Sequence, residues 1–156
     1  MVSTVYITKK EKKKTTYYLK LTAYAGAKVD ANIVKVNEKS GTKKAKAKAI
    51  TKNKAVQGTI IANNKAVDWY KFNVTKKQYL KVFWKADTNY GIKFTFYEGK
   101  RSLGTVEAAY TNSKWNNAYI VNKLTGKKIK VNPGTFYVKV ERYNANSSGT
   151  YSIKWK

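Results

Sequence analysis

Short segments in which apolar and polar residues alternate dominate the chain from Val56 onward. In a clear example, Tyr70, Phe72 and Val74 occupy alternate positions and polar residues lie between them. The same alternation recurs over 79–85, 92–96, 136–140 and 151–155. Because successive side chains of a strand point to opposite faces, each segment is predicted to form a strand that buries one face and exposes the other.

Turn-forming residues separate these segments, as a sheet of short antiparallel strands requires. They are Asn63-Asn64, Glu98-Gly99, Asn132-Pro133-Gly134 and residues 144–149. Gly134 and Gly149 are each expected to take a backbone conformation that other residues resist. Segment 43–49 alternates lysine and alanine, which favours an extended edge strand over a helix, since lysines on an edge discourage pairing with other chains. The pattern predicts an all-β chain folded as an antiparallel β-sandwich.

One internal repeat bears on the domain organisation. Residues 16–21 (TYYLKL) recur as residues 135–140 (TFYVKV). Residues 1–36 are therefore predicted to form a β-hairpin that copies the closing hairpin of the chain. This hairpin either packs on the sandwich or is the remnant of a preceding repeat, because an isolated hairpin is barely stable in water. The predicted organisation is the hairpin over 1–36, a Lys/Ala-rich lead or edge strand over 37–55, and the sandwich over 56–156.

The charge of the chain is extreme and comes almost entirely from lysine. Lysine and arginine together number 33 and the acidic residues 8, which gives a formal net charge of +25. Arg101 and Arg142 are the only arginines, and histidine and cysteine are absent. Disulfides, zinc fingers, thiol nucleophiles and imidazole bases are therefore excluded. A hydrophobic fraction of 42% and an aromatic fraction of 14% predict that the chain folds despite its charge.

Catalysis and membrane insertion both lack a sequence signal. General acid–base chemistry would have to use carboxylates, lysine or tyrosine, and the acidic residues are scattered without a paired motif. They are Glu11, Asp30, Glu38, Asp68, Asp87, Glu98, Glu107 and Glu141. We expect no enzymatic activity and no cofactor. No apolar run approaches the roughly 20 residues of a membrane span, and the first residues lack the apolar core of a secretory signal.

From about Glu38 to the C-terminus, the chain resembles the bacterial pre-peptidase C-terminal domain. The segments that carry the resemblance are Asn37-Glu38, 47–50 (AKAI), 56–60 (VQGTI), 68–72 (DWYKF), 131–140 (VNPGTFYVKV) and 148–153 (SGTYSI). The resemblance implies a jelly-roll-like β-sandwich, related in fold to the collagen-binding domains of clostridial collagenases. It also implies a non-catalytic module of a secreted or surface-attached bacterial protein that assists binding, solubility or maturation.

The resemblance also raises the question of calcium, which some relatives coordinate through carboxylates near the N-terminal lead. Glu38 and Asp68 occupy the corresponding positions, with Asn37 and Asn64 as neutral ligands. The alternative is that Asp68 accepts hydrogen bonds in a structural role. We favour this alternative, because relatives are often acidic, whereas a chain of charge +25 repels a cation.

The alternating segments also predict a surface of aromatic and lysine side chains. If Leu80, Val82 and Trp84 point inward, their neighbours point outward. The outward candidates for ligand binding are Tyr79, Lys81, Phe83 and Lys85, joined by Trp69 from the preceding strand. Exposed rings beside ammonium groups suit sugar rings and acidic groups on polysaccharides. The alternative is that the N-terminal hairpin or a neighbouring domain covers these rings.

Segment 110–119 adds three further aromatic candidates, Tyr110, Trp115 and Tyr119. Its Asn and Ser residues and weak alternation predict a loop, and such loops grip carbohydrate or protein ligands. The alternative is that Trp115 closes one end of the sandwich.

These observations predict a non-catalytic binding module, secreted or on a bacterial cell surface, whose partner is an extracellular polysaccharide or a matrix protein. One alternative is a structural spacer repeat of a surface protein or an accessory domain of a secreted peptidase. Another is electrostatic binding of nucleic acid, which a charge of +25 favours only non-specifically, because arginine, the residue of bidentate phosphate and base contacts, is nearly absent.

Overall fold

The computed structural model of the chain describes residue 36 and residues 40–65, 67–108 and 112–156. Apart from Val36, the hairpin expected over 1–36 lies outside the described residues. Within these ranges the chain is built from strands. They are β1 (Lys48–Ala49), β2 (Val56–Ile60), β3 (Asp68–Val74), β4 (Gln78–Tyr79), β5 (Lys81–Thr88), β6 (Ile92–Glu98), β7 (Arg101–Ala108), β8 (Asn112–Tyr119), β9 (Lys130–Val131), β10 (Gly134–Arg142) and β11 (Gly149–Trp155).

Two main sheets form a sandwich. The five-stranded sheet has the order β1-β3-β10-β6-β7, and the four-stranded sheet has the order β2-β11-β5-β8. A separate two-stranded sheet pairs β4 with β9. The ladders between these strands are antiparallel, except that β1 pairs with β3 in parallel. The predicted all-β sandwich is therefore confirmed. No helix within the described ranges is both long and apolar enough to cross a membrane.

The alternation read from the sequence corresponds to the core. Tyr70, Phe72 and Val74 of β3 are all buried, and alternate residues of β5, β6, β10 and β11 are buried as well. Rings from the two sheets meet between them: Phe94 lies 5.9 Å from Tyr151 and Phe72 lies 5.8 Å from Trp155, centroid to centroid. The pairing of aromatic rings at these distances adds to the area that each ring buries. The core thus joins the two sheets through their inner faces.

The lysine–alanine segment differs from its expected form. Only Lys48–Ala49 is a strand, and Lys44–Lys46 forms a turn of 3-10 helix. The turn is closed when the backbone N–H of Ala47 donates to the carbonyl of Lys44, and Ala47 is itself buried. This turn places the ammonium group of Lys44 above the outer face of the five-stranded sheet.

The two glycines predicted to need special backbone conformations behave differently. Gly149 has a φ of +140°, and a Cβ there would lie 2.1 Å from the carbonyl oxygen of Asp87. The expectation for Gly149 is confirmed. Gly134 is not among the residues with positive φ, and a Cβ there would meet open space. The expectation for Gly134 is wrong, because Pro133 and the start of β10 complete this turn without a left-handed residue.

Candidate functional site

The outer face of the four-stranded sheet carries rings and ammonium groups on neighbouring strands. We call it the aromatic–lysine face. Its members are Lys81, Phe83 and Lys85 of β5, Trp115 and Tyr119 of β8, and Lys154 and Lys156 at the end of the chain. The register explains why they meet: Phe83 lies opposite Lys154, and Lys81 lies opposite Tyr119. Because Val82 and Trp84 are buried, their neighbours on β5 must face outward.

The ammonium groups of this face lie over its rings. The Nζ atom of Lys81 is 5.0 Å from the ring centroids of both Phe83 and Tyr119. The Nζ atom of Lys154 is 4.3 Å from the Trp115 centroid and 5.3 Å from that of Phe83. Lys85 approaches Trp115 to 5.5 Å. These distances are within the range of cation–π attraction, so two of the lysines each join two rings.

The face continues onto the two-stranded sheet at one end. Tyr79 of β4 contacts Tyr119 edge to face, with 6.3 Å between the ring centroids. Lys128 lies 4.2 Å from the ring of Tyr119, and Lys130 lies 5.7 Å from the ring of Tyr79. Tyr79 is 47% exposed. The structure therefore brings together Tyr79, Lys81, Phe83, Lys85, Trp115 and Tyr119, and their role in binding remains a prediction.

The charge on this sheet is one-sided. On strands β2, β5, β8 and β11, Asp87 is the only carboxylate residue, and it lies beyond Lys85 toward the far end of β5. The ion pairs of Arg101 with Glu98 and of Lys139 with Glu141 lie on the five-stranded sheet. Since like charges gathered on one face raise its positive potential, the aromatic–lysine face attracts anions.

The covering of the rings by lysines also restricts what can bind. A neutral sugar that stacks on an aromatic ring needs an open ring face, and here ammonium groups lie over Phe83, Trp115 and Tyr119. An anionic group can instead meet the ammonium directly, since a lysine over a ring keeps N–H donors for other partners. The geometry therefore suits sulfate, phosphate or carboxylate groups better than an uncharged sugar.

Trp69 does not belong to this face, and the expectation that it does is wrong. It lies on β3, which is part of the five-stranded sheet, and its ring is 5.4 Å from that of Tyr97. The Nζ atom of Lys44 is 4.7 Å from the ring of Tyr97, 4.9 Å from that of Tyr137 and 5.8 Å from that of Trp69. This Nζ also donates a hydrogen bond to the carbonyl of Gly99. We call this arrangement the Lys44 cage.

Segment 110–119 is also corrected in part. Tyr110 lies outside the described residues, but Asn112–Tyr119 is the edge strand β8 and not a loop. Its antiparallel pairing with β5 explains the difference, because backbone hydrogen bonds to a neighbouring strand need no strong apolar alternation at an edge. Trp115 is half-buried beneath Lys85 and Lys154 on the outer face, so the alternative that it closes one end of the sandwich is wrong as well.

The calcium candidates, like segment 110–119, lie partly outside the described residues. Glu38 and Asn37 lie outside the described residues. Asp68 is 5% exposed, and its two carboxylate oxygens accept hydrogen bonds from the Ser40 hydroxyl at 2.6 Å and from the Tyr151 hydroxyl at 2.7 Å. Among the described residues no three acidic side chains come together as metal ligands. Asp68 thus ties the lead to the core.

The same carboxylate belongs to a buried hydroxyl network. The hydroxyl groups of Tyr70 and Tyr151 are 3.0 Å apart, which extends the network between the two sheets. Burial raises the pKa of Tyr151 well above its ordinary value, and the charges of Tyr70 and Asp68 raise it further. Gly58 lies opposite Tyr151 across the β2–β11 pair, where a Cβ would lie 2.2 Å from the Tyr151 hydroxyl oxygen. The phenol therefore fills the space that Gly58 leaves.

Comparison with known sequences finds no matching protein-family model and no matching curated protein. Comparison with solved structures does give matches. The TmCBM61 module in complex with β-1,4-galactotriose is 17% identical over 65% of this chain and 69% of its own, with a TM-score of 0.37. The CBM36-1 domain of a multidomain xylanase from the hindgut metagenome of Trinervitermes trinervoides is 14% identical over 67% of this chain and 88% of its own, also with a TM-score of 0.37. Similarity this distant carries no argument about ligands.

A stronger match comes from the pre-peptidase C-terminal domain of a collagenase from Bacillus anthracis. It has a TM-score of 0.52 and 19% identity, and the match covers 70% of this chain and 94% of that domain. Nearly the whole of that domain is therefore matched by the sandwich. The resemblance noted in the sequence extends to the architecture, and the chain has the fold of a pre-peptidase C-terminal domain.

Proposed function

We propose that this chain is a non-catalytic binding module that holds an anionic extracellular polysaccharide on its aromatic–lysine face. The observation that carries the proposal is the row of lysines over Phe83, Trp115 and Tyr119, on a sheet whose strands contain a single carboxylate residue, Asp87. The proposal places the chain outside the cell, secreted or on a cell surface.

The spacing of the charges supports a repeating ligand. Alternate residues of one strand are about 7 Å apart, and neighbouring strands are about 4.8 Å apart. Lys81 and Lys85 are four residues apart on β5, so their backbone positions are about 13 Å apart, and together with Lys154 on β11 they form a two-dimensional array of lysines. A linear polymer with an acidic group on each repeat can contact several members of such an array at once. Multiple weak contacts of this kind add up to useful affinity.

Lysine in place of arginine favours an acidic glycan over a nucleic acid. Sequence-specific contacts to bases and the bidentate contacts to phosphate depend mostly on the planar guanidinium group. The ammonium group is a compact point charge that meets sulfate, carboxylate and phosphate equally. No Arg residue lies on the aromatic–lysine face, since Arg101 and Arg142 both belong to the five-stranded sheet. Any binding of DNA is thus expected to be weaker and to fall steeply with salt.

The test is binding to dextran sulfate at physiological ionic strength, measured by isothermal titration calorimetry. The site variant carries Lys81→Gln, Lys85→Gln and Lys154→Gln. The matched control carries Lys71→Gln, Lys93→Gln and Lys100→Gln, which remove the same charge from the other sheet and its β6–β7 turn. We expect affinity to fall by about tenfold or more in the site variant and by about threefold or less in the control.

Three outcomes would contradict the proposal. Equal loss in both variants would mean that only net charge matters. Tighter binding of DNA than of dextran sulfate at the same salt concentration would favour the nucleic-acid alternative. No binding to either polymer would leave the chain as a structural spacer.

A further inference from the structure

The connection between β8 and β9 forms a hairpin that projects an apolar side chain. Val121 pairs with Lys128 in an antiparallel bridge, and the backbone N–H of Asn122 donates to the carbonyl of Lys127 at 2.9 Å. We call residues 121–129 the Leu124 hairpin. At its tip, the Asn122 side-chain oxygen accepts hydrogen bonds from the backbone N–H groups of Leu124 and Thr125, at 2.9 and 3.2 Å. The tip therefore has a defined turn.

This turn holds Leu124 almost entirely in solvent, with 96% of the residue exposed. Val121 and Ile129, on the two arms of the hairpin, are 42% and 38% exposed. Of the six large hydrophobic residues that are exposed in the described part of the chain, three thus lie within these nine residues. A single exposed leucine is ordinary, but a cluster held at the tip of a formed turn is typical of a surface that contacts something apolar.

The hairpin also carries a local positive charge. Lys123, Lys127 and Lys128 lie within it, and Lys130 follows directly in β9. The sequence has no acidic residue between Glu107 and Glu141, so no carboxylate in this stretch offsets these lysines. The hairpin therefore combines an exposed leucine at its tip with lysines before and after it in the sequence.

We propose that the Leu124 hairpin docks on an anionic lipid bilayer, with Leu124 inserted into the interface and the lysines beside the head groups. An apolar tip with flanking cations suits the boundary where acyl chains begin beneath charged head groups. A soluble polyanion would bind the lysines but would leave Leu124 in water. A second copy of this chain would bring the same charge of +25 and be repelled. Of these three partners, the anionic bilayer is the one that accommodates both the leucine and the lysines of the hairpin.

This docking borders the proposed polysaccharide site, since Lys128 lies over Tyr119, but it depends on Leu124, which is not part of the aromatic–lysine face, and not on Lys81, Lys85 or Lys154. The absence of native cysteine allows one label to be placed at a chosen position. The experiment attaches an NBD fluorophore to Leu124→Cys and, as a control, to Tyr90→Cys in the full chain. Tyr90 is 48% exposed and follows the far end of β5, about 25 Å from the Lys81 end by strand length.

Each labelled protein is mixed with vesicles of phosphatidylcholine and phosphatidylglycerol, with vesicles of phosphatidylcholine alone, and with dextran sulfate. We expect a blue shift and a rise in emission only for the label at position 124 and only with the anionic vesicles. In unlabelled protein, Leu124→Ser should lower partition onto these vesicles about tenfold, the scale expected for losing the burial of a leucine side chain. Its affinity for dextran sulfate should remain unchanged.

Four results would overturn the proposal. They are the absence of any binding to anionic vesicles, binding without a shift at position 124, an equal shift with dextran sulfate, and equal vesicle partition of Leu124→Ser and the wild type. Because Leu124 is 96% exposed, the Leu124→Ser variant is expected to fold normally, which thermal unfolding checks. A loss of dextran sulfate binding in the Lys81, Lys85 and Lys154 variant would bear only on the proposed function.

Discussion

The two outer faces of the sandwich both carry lysines and aromatic rings, but the arrangement of these residues differs between the faces. On the five-stranded sheet, three rings surround one ammonium group, that of Lys44, which comes from the segment preceding β1. On the four-stranded sheet, Lys81, Lys85 and Lys154 come from the strands themselves, and Phe83, Trp115 and Tyr119 each meet a different set of lysines. The first arrangement fastens a chain segment to the sheet. The second covers a sheet with cations.

The two sheets also differ in their acidic residues. On the five-stranded sheet Lys139 pairs with Glu141 at 2.6 Å, and the lead is tied down a second time by the Ser40–Asp68 hydrogen bond. On the strands of the four-stranded sheet Asp87 is the sole carboxylate residue. A lysine near an aromatic ring therefore does not by itself indicate a binding site. What distinguishes the candidate site is that its cations are many, share few carboxylates and lie toward solvent.

The largest expected effect comes from removing the carboxylate of Asp68, which links Ser40 of the lead to Tyr151 in the core. Asp68→Ala leaves the buried Tyr151 hydroxyl without its carboxylate acceptor and releases Ser40. We expect the free energy of unfolding to fall by about 2–3 kcal/mol, because buried polar groups lose their partners. Urea denaturation followed by tryptophan fluorescence measures this loss. Ser40→Ala, which removes one hydrogen bond and leaves Tyr151 paired, should cost about 1 kcal/mol. Equal losses in the two variants would contradict the anchoring role of Asp68.

The core of the sandwich shows how much of the fold can be predicted from the sequence. The sandwich follows from alternation alone, because Phe72, Phe94 and Ile153 sit at positions that only a buried sheet face can use. The same rule orients Phe83 and Lys85 outward. A local pattern assigns a side chain to one side of its own strand.

A local pattern does not say which sheet the strand joins, and this explains the misplaced candidates. Alternation with core residues places Trp69 and Phe83 outward alike, but β3 pairs with β10 and belongs to the other sheet. The Lys44 cage needs Tyr97 and Tyr137, whose approach depends on the same long-range pairing. The edge strand β8 resembles a loop in sequence, because its Asn and Ser residues leave little apolar alternation. A run of lysine and alanine likewise carried no signal for the turn at Lys44–Lys46.

A pH titration tests the link between the two sheets and should give the second largest effect. The pKa of Tyr151 is raised in the folded chain by burial and by Tyr70 and Asp68. A raised pKa means that folding favours the protonated phenol. Its contribution to stability is complete below the ordinary tyrosine pKa of about 10 and is lost as the pH rises above it, by up to about 1.4 kcal/mol per pH unit.

The comparison is between wild type and Tyr151→Phe in urea unfolding from neutral to strongly alkaline pH. Lysine titration is common to both proteins, so the difference between the two curves isolates Tyr151. We expect the wild type to lose stability more steeply above pH 10. Parallel curves over the whole range would show that ionisation of Tyr151 is not linked to folding.

Removing Lys44 tests whether its cage is structural. Lys44→Ala should lower the free energy of unfolding by about 1 kcal/mol, the scale of a partly desolvated cation–π contact, while leaving affinity for dextran sulfate nearly unchanged. Lys44→Met is the control that keeps an aliphatic stem among the rings and removes only the charge. It should recover part of the lost stability. A strong loss of dextran sulfate binding in either variant would mean that the two faces do not differ as described.

The smallest expected effect comes from removing a single lysine from each face and comparing the two variants. Lys154 and Lys139 both point outward from long strands and are comparably half-buried, but Lys154 lies over Trp115 and Phe83, whereas Lys139 pairs with Glu141. Each change to alanine removes one positive charge, so long-range attraction to a polyanion falls equally. Lys154→Ala should weaken dextran sulfate binding about threefold beyond Lys139→Ala at physiological ionic strength, where charges more than about 8 Å apart are screened. The difference should shrink as salt is added. Equal affinities for the two variants at low and high salt would mean that the polymer responds to the overall charge and not to the aromatic–lysine face.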